Sequence, residues 1–321
     1  MSAARDPRAE ANALLPGRYE ARVLEPSPPA STDPDWYADD PTDPAGATGP
    51  LVTPIDGEGV TWTDIAATDP KLAEYAADHW LGAHHRLEAV PGGYDGTRRA
   101  LHQVAFFVVA PKRFTETGKL GLRYTHRGFG TPFFGSDRQV RIGGDQLIRQ
   151  QGNRVHTAPI TTIRAAARFL DLSYRQTWFD GFHDPPGAMD PDAHLVIDRS
   201  VTGFVGEWFG FATSVLEQMR RTPGAADVSR VQLWPEHFDA AVEMGAGDQR
   251  ASYGASPGDT AHPEPYLYVA AWGAIDRSDP YWNDTGFNGA SLSYQDLLAS
   301  TDQRATAIEF LRRGHERLNR H

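Results

Sequence analysis

Four short apolar runs in the last third of the chain constrain its fold more than any other feature. They read SRVQLWP, HFDAAVEMG, RASYGAS and YLYVAAW, and they follow one another from residue 229 onward with only short links between them. Parallel neighbours need a crossover of roughly a dozen residues or more, usually a helix, whereas brief links join antiparallel neighbours. The runs therefore predict an antiparallel meander. A second β region lies earlier, in LGLRYTHR and RQVRIGGDQLIRQ. There Gly143-Gly144-Asp145 separates two strand-like runs, a hairpin signal.

Between and around these regions the apolar spacing turns helical. DPKLAEYAADHWLGAHHRLEA, residues 69–89, predicts a helix capped by Asp69, with Pro70 in its first turn. A second helix is expected over 97–109, ended by Pro111 and the TETG stretch, and a third in PITTIRAAARFLDL. A long one spans about 200–221, burying Phe204, Trp208, Phe211, Ala212, Val215 and Met219. The last covers 302–318, through Ala305, Ile308, Leu311 and Leu318. Helices and strands are grouped rather than alternating, so the fold class is α+β, with antiparallel sheet and packed helices. The order helix, strands, helix is expected twice, over 97–172 and 200–318. Residues 1–60 form a Pro- and Asp-rich arm, expected either to lie on the surface, pinned by Trp36 and Tyr37, or to be partly disordered. Residues 61–321 form one α+β unit, with halves at 61–180 and 190–321.

Composition narrows the function classes. The formal net charge is −11, which repels phosphate backbones and argues against nucleic acid as a partner. No apolar run is long enough to span a bilayer, and the first residues carry no apolar leader, so no membrane partner is expected. The chain has no cysteine, which removes disulfides and thiolate chemistry and fits a cytoplasmic setting. No dinucleotide, P-loop, nucleophile-elbow or HExxH motif is present, and nothing assigns a cofactor. Asp33, Asp35, Asp39, Asp40 and Asp43 lack the spacing of a calcium loop. His79, His84 and His85 lack the spacing of a helical metal pair.

Candidate chemistry concentrates in three places. On a strand, WPEHFDAAVEMG puts His237, Asp239, Ala241 and Glu243 on one face and Phe238, Ala240, Val242 and Met244 on the other. One face is apolar, and the other carries an imidazole and two carboxylates. The pattern is equally that of an ordinary half-buried antiparallel strand. His-x-Asp is also the local half of an iron site, with His262 as the distal candidate; no metal is expected, because spacing places only two ligands. Second, SPGDTAHPEP is an elbow in which Pro263 and Pro265 hold the chain extended and present His262 and Glu264 as an acid/base pair. A plain hairpin turn accounts for Pro257-Gly258-Asp259 just as well. Third, RGFGTPFFGSD carries Gly128 and Gly130 beside Arg123 and Arg127, a cradle for an anionic group or, alternatively, a bulge. Trp234, Tyr253 and Tyr266 are expected to wall a small-molecule pocket.

The segments LGLRYTHRGFGTPFFGSDRQVRI, APITTIRAAARFL and VQLWPEHFDAAVEMG, with ASYGASPGDTAHPEPYLYVAAWG after them, resemble a family of uncharacterised bacterial proteins of actinobacterial type. A looser similarity through EWFGFATSVLEQMR and LWPEHFDAAV reaches a broader bacterial domain family, also of unknown function. The resemblance covers most of the chain after about residue 95 and implies no activity, cofactor or catalytic residue. The expectation is a small-molecule-binding protein or acid/base enzyme with its pocket at the end of the C-terminal sheet. His237, Asp239, His262 and Glu264 would be its polar groups. The alternative is a non-catalytic interaction or assembly protein that uses surface aromatics and the acidic arm. No feature of the sequence sets an oligomeric state.

Overall fold

A computed structural model describes residues 51–52, 60–61, 86–125, 128–132, 138–151, 154–176, 186–187, 189–220, 222–229 and 231–319. A two-residue ribbon pairs β1 (Leu51–Val52) with β2 (Val60–Thr61). Two five-stranded antiparallel meanders make up the body. The first is β3 (Arg123–Thr125), β4 (Gly128–Gly130), β5 (Arg138–Gly143), β6 (Gln146–Gln151) and β7 (Arg154–Pro159), paired in that order. The second is β8 (Gln232–Trp234), β9 (Asp239–Met244), β10 (Ala251–Ser256), β11 (Tyr266–Ala271) and β12 (Gly289–Ser293), again in chain order. Leu122 and Leu233 exchange both backbone N–H···O bonds, at 2.7 and 2.8 Å, so the meanders abut edge to edge beside β3 and β8.

The expected α+β class is what the chain forms, and the expected C-terminal meander is present strand by strand. The Gly-Asp hairpin is also there: Gly143 pairs with Gln146 around a two-residue turn in which Gly144 has φ 62°. Strands β4, β7 and β12 were not anticipated. In β4, Gly128 and Gly130 read as turn or cradle glycines, but an added Cβ would run into the Ile142 and Val140 carbonyls of β5. They let two strands approach closely, and neither has a positive φ.

Helices pack on one side of this surface. α1 (Tyr94–Val104) runs through a π-helical segment (Ala105–Val109) into α2 (Ala110–Thr117). The helix expected over 97–109 is thus longer at both ends. Pro111 does not stop it: the wide π turn ends just before, and proline falls at the junction, in the first turn of α2. Gly118, at φ 73°, ends α2 instead. α3 (Ile163–Phe169) is capped by the Thr162 hydroxyl.

The long α4 (Arg199–Arg220) lies across the inner faces of both meanders, with Val205, Trp208, Phe209, Phe211, Ala212, Val215 and Leu216 buried. α5 (Tyr294–Ala299), which periodicity did not single out, and α6 (Gln303–Leu318) close the chain. On α6 the buried positions are Gln303, Ala307, Leu311 and Gly314; Ala305, expected inside, is exposed, and its amide is capped by Asp302 at 2.9 Å. Of the helix expected over 69–89, residues 69–85 lie outside the described residues, and 86–89 are not helical. The N-terminal arm, with Trp36, Tyr37 and its aspartates, and His79, His84 and His85 also lie outside them.

Strand register decides which side chains face away from the helices. Ala240, Val242, Met244, Ala251, Tyr253, Ala255, Leu267 and Val269 share the buried inner face. Asp239, Ala241 and Glu243 of β9, Ser252, Gly254 and Ser256 of β10, and Tyr266, Tyr268 and Ala270 of β11 share the outer one.

Candidate functional site

A cleft of about 920 Å³ lies over that outer face. The second meander forms its floor. The β8–β9 turn, the elbow after β10 and one side of α1 form its rim, through Trp234, Glu236 and His237, Asp259 and His262, and Arg98, Arg99 and His102. The cleft extends from the sheet's end, where a pocket is expected, onto its face.

The β8–β9 turn is built from Pro235 to Phe238, between the paired residues Trp234 and Asp239. Phe238 has φ 54°, a left-handed conformation that costs a bulky residue about 1–2 kcal/mol. Its ring supplies the compensation. It is buried edge-to-face against Phe129 and Phe209, at centroid distances of 4.9 and 5.3 Å, and stacks on the His102 imidazole at 5.4 Å. The left-handed residue also breaks strand parity. His237 was expected on the strand beside Asp239; it lies in the turn, exposed at the cleft rim, and only Asp239, Ala241 and Glu243 alternate as expected.

His102 fixes this turn to α1. Its Nε2 lies 3.1 Å from the Pro235 carbonyl and 2.9 Å from the Glu236 carbonyl, so the N–H sits on Nε2 and donates to both. Burial pushes its pKa down to about 4, although the two carbonyls and neighbouring charges act on it as well. The imidazole is therefore a neutral clamp at physiological pH.

The turn delivers two carboxyl groups to the cleft with little to compensate them. Glu236 is 7% exposed and Asp239 4% exposed. Asp239 Oδ2 accepts a hydrogen bond from the Tyr268 hydroxyl, while its Oδ1 and Glu236 Oε2 have no hydrogen-bond partner. Burial raises the Glu236 pKa from 4.5 to about 7, opposed by its own amide and by His237 and reinforced by Asp239. Burial likewise raises Asp239, against His237 and the Tyr268 hydroxyl. Tyr268 itself is pushed up by burial and by Asp239. Gly254 makes this contact fit: a Cβ there would overlap the Tyr268 ring.

The elbow contrasts with the turn because its carboxylate is satisfied. Asp259 Oδ1 accepts from the amides of Ala261 and His262 at 2.6 and 2.7 Å, and Oδ2 accepts from the Tyr266 hydroxyl at 2.7 Å. Burial would raise its pKa, but these donors outweigh burial and hold it below the usual range. Gly258, at φ 104°, is required, since a Cβ would meet the carbonyls of His262 and Glu264 at 2.9 and 3.0 Å. The elbow docks on α1 through the Tyr94 hydroxyl, which donates to the Pro257 carbonyl, and through Arg98 Nη1, which donates to the Gly258 carbonyl at 2.7 Å. His262 leans on the Tyr266 ring, with Nε2 3.2 Å from Asp284 Oδ2 and Nδ1 3.7 Å from Asp259 Oδ1.

Of the sequence candidates, His237, Asp239, His262, Trp234 and Tyr266 line the cleft. Five others lie elsewhere. Glu264 points to α5, accepting from Gln295 at 2.8 Å. Tyr253 is on the inner face, its hydroxyl 3.1 Å from His315 Nδ1. Gly128 and Gly130 are packed inside the first meander, and Arg123 is not among the cleft residues. Arg127 lies outside the described residues. Glu236, His102 and Tyr268 escaped the sequence reading as site residues. Glu236 carried a signal nonetheless, since a charged residue on the apolar parity of WPEHFDAAVEMG marks the point where the strand has not yet begun. Among the described residues no group of three His, Asp or Glu side chains is placed to hold a metal ion, and no helix is long and apolar enough to cross a membrane. No family model, curated protein or solved structure matches the chain.

Proposed function

We propose that the chain is a small-molecule-binding protein whose cleft carries out acid/base chemistry through Glu236 and Asp239. One observation carries the reading: two carboxyl groups at least nine-tenths buried line one cleft, each with an oxygen that no protein group engages. Buried polar atoms are normally satisfied, so an unpartnered carboxyl oxygen on a residue that lines a cavity points to a ligand group as its partner. Glu236, held near pKa 7, exchanges its proton at neutral pH, as a general acid or base must. Asp239 and the Tyr268 hydroxyl form the second proton-bearing pair, and Trp234, Tyr266 and Phe287 supply apolar wall. A cytoplasmic setting belongs to the same proposal and is supported by a chain without cysteine.

The rival reading, a non-catalytic interaction protein, calls for a flat apolar patch. The exposed large apolar side chains among the described residues are Phe114 on α2, Val196 in the segment before α4 and Trp272 just after β11. The test is a fragment screen by ligand-observed NMR on the full chain, repeated on Glu236→Gln and Asp239→Asn. The proposal expects a cluster of hits whose binding is lost in one or both variants. Hits that bind both variants as well as the parent, or that map to another surface, would overturn it.

A further inference from the structure

We infer that the ligand of this cleft is a cationic amine, whose ammonium group pairs with the unpartnered carboxyls of Glu236 and Asp239 while its apolar part lies along the aromatic wall. The inference rests on the reading of the cleft as a ligand site and names the class of ligand. It starts from charge. Buried carboxylates are normally kept by partners, and the other carboxylates around the cleft have at least one, the buried Asp284 through the Gly286 amide at 2.8 Å and His262 Nε2 at 3.2 Å. Glu243 is paired with Arg250 at 2.6 Å, Asp95 with Arg98 and Arg99 at 2.8 Å each, and Asp259 with two amides and a hydroxyl. Glu236 and Asp239 form no ion pair with arginine or lysine among the described residues, and the neighbouring side chain acting on both is the exposed His237.

The cations of the cleft are already committed. Arg98 is held by Asp95 and the Gly258 carbonyl, and Arg99 by Asp95. A ligand cation supplies what the protein leaves out. An ammonium brings three N–H donors and no acceptor, which suits two acceptor oxygens with no competing donor but Tyr268. An anionic ligand would meet Glu236, Asp239, Glu243 and Asp259 along the lining. A neutral donor would hydrogen-bond the carboxyls but bring no charge to balance them, and charge-assisted bonds are the stronger ones. The wall fits the same class. Tyr266 and Tyr268 lie at 6.1 Å between centroids, and Tyr268 and Phe287 at 6.0 Å, a run of rings of the kind that attracts cations.

Binding is then linked to protons. A protonated Glu236 that receives an ammonium gives its proton to water and remains as carboxylate, so one cation enters as another leaves. The groups facing this exchange are His237 in the turn, Asp239 and Glu243 on β9, and Tyr266 and Tyr268 on β11. From outside the sheet they are His102, Arg98 and Arg99 on α1, and Asp259 and His262 in the elbow.

Isothermal titration calorimetry of the full chain with benzylammonium, benzyl alcohol and benzoate tests the inference, in two buffers of different ionisation enthalpy. The expected result is that benzylammonium binds, releases protons, and tightens about tenfold between about pH 6 and about pH 8. The alcohol and benzoate bind at least about tenfold more weakly, and Glu236→Gln loses about tenfold or more together with the proton release. Proton release is read on the parent protein, so a variant that fails to fold does not decide the outcome. If benzyl alcohol or benzoate binds as tightly, and that binding is lost in Glu236→Gln, the amine is overturned while the site stands. If none of the three binds, the amine is overturned too, and the fragment screen decides the site separately.

Discussion

Replacing Glu236 by Gln makes the protein more stable in alkali than its parent and leaves the two alike in acid. The sign follows from which state holds the proton. Folding raises the Glu236 pKa from 4.5 to about 7, so between those values the native state binds a proton that the unfolded chain has lost. Stability then falls as pH rises through this window, and the loss is complete above the folded value. At about 1.4 kcal/mol per pH unit, the carboxylate costs the native state about 3 kcal/mol by pH 8. Gln fills nearly the same volume without titrating, so that cost disappears.

For a domain of this size about 3 kcal/mol corresponds to roughly 6–12 °C in melting temperature. The assay is urea unfolding of both proteins at about pH 5 and about pH 8, with linear extrapolation. The expected difference is small at the lower pH and approaches 3 kcal/mol at the higher, with a residual slope from Asp239, whose carboxyl is also raised. Parallel pH profiles, or a variant less stable at pH 8, would refute the claim that this carboxyl is buried without compensation.

Other substitutions probe the same construction. Tyr268→Phe removes the hydroxyl that donates to Asp239; it costs about 1–3 kcal/mol above neutral pH and less in acid, read by the same unfolding curves. Gly254→Ala forces the Tyr268 ring off its seat; the expected cost is about 1–3 kcal/mol, with weaker ligand binding in calorimetry than any stability change explains. Phe238→Ala loses a fully buried ring and costs about 3–5 kcal/mol. Phe238→Gly, freed of the left-handed penalty at φ 54°, should match or exceed the Ala variant in stability despite its looser unfolded chain.

Strands β8 to β11 of the second meander were legible because each is short, has an apolar inner face and is bounded by turn residues. The cleft was only half legible. Asp239, Trp234 and Tyr266 could be placed from parity and proximity along the chain. Glu236 could not, because its position depends on a left-handed Phe238, and nothing in the type Phe announces a positive φ. The ring earns that conformation only through contacts with Phe129, Phe209 and His102, which lie roughly a hundred, thirty and a hundred and thirty residues away. His102 was hidden for a similar reason, since its role is to hold carbonyls on a distant turn. Glu264 and Tyr253 were misplaced by sequence nearness: one lies past a proline elbow that turns it toward α5, and the other has the opposite parity to Tyr266 across the β10–β11 pairing. Pro111 misled because a π segment, which has no sequence signature of its own, sets it in a first turn.

The most direct measurement is a carbon-13 NMR titration of the Glu236 side-chain carboxyl, assigned by its loss in Glu236→Gln, with and without benzylammonium. The account predicts a midpoint near pH 7 in the free protein and a clear downward shift when the ammonium is present. A carboxyl already ionised at about pH 5 in the free protein, or a midpoint that the ammonium leaves where it was, would contradict it.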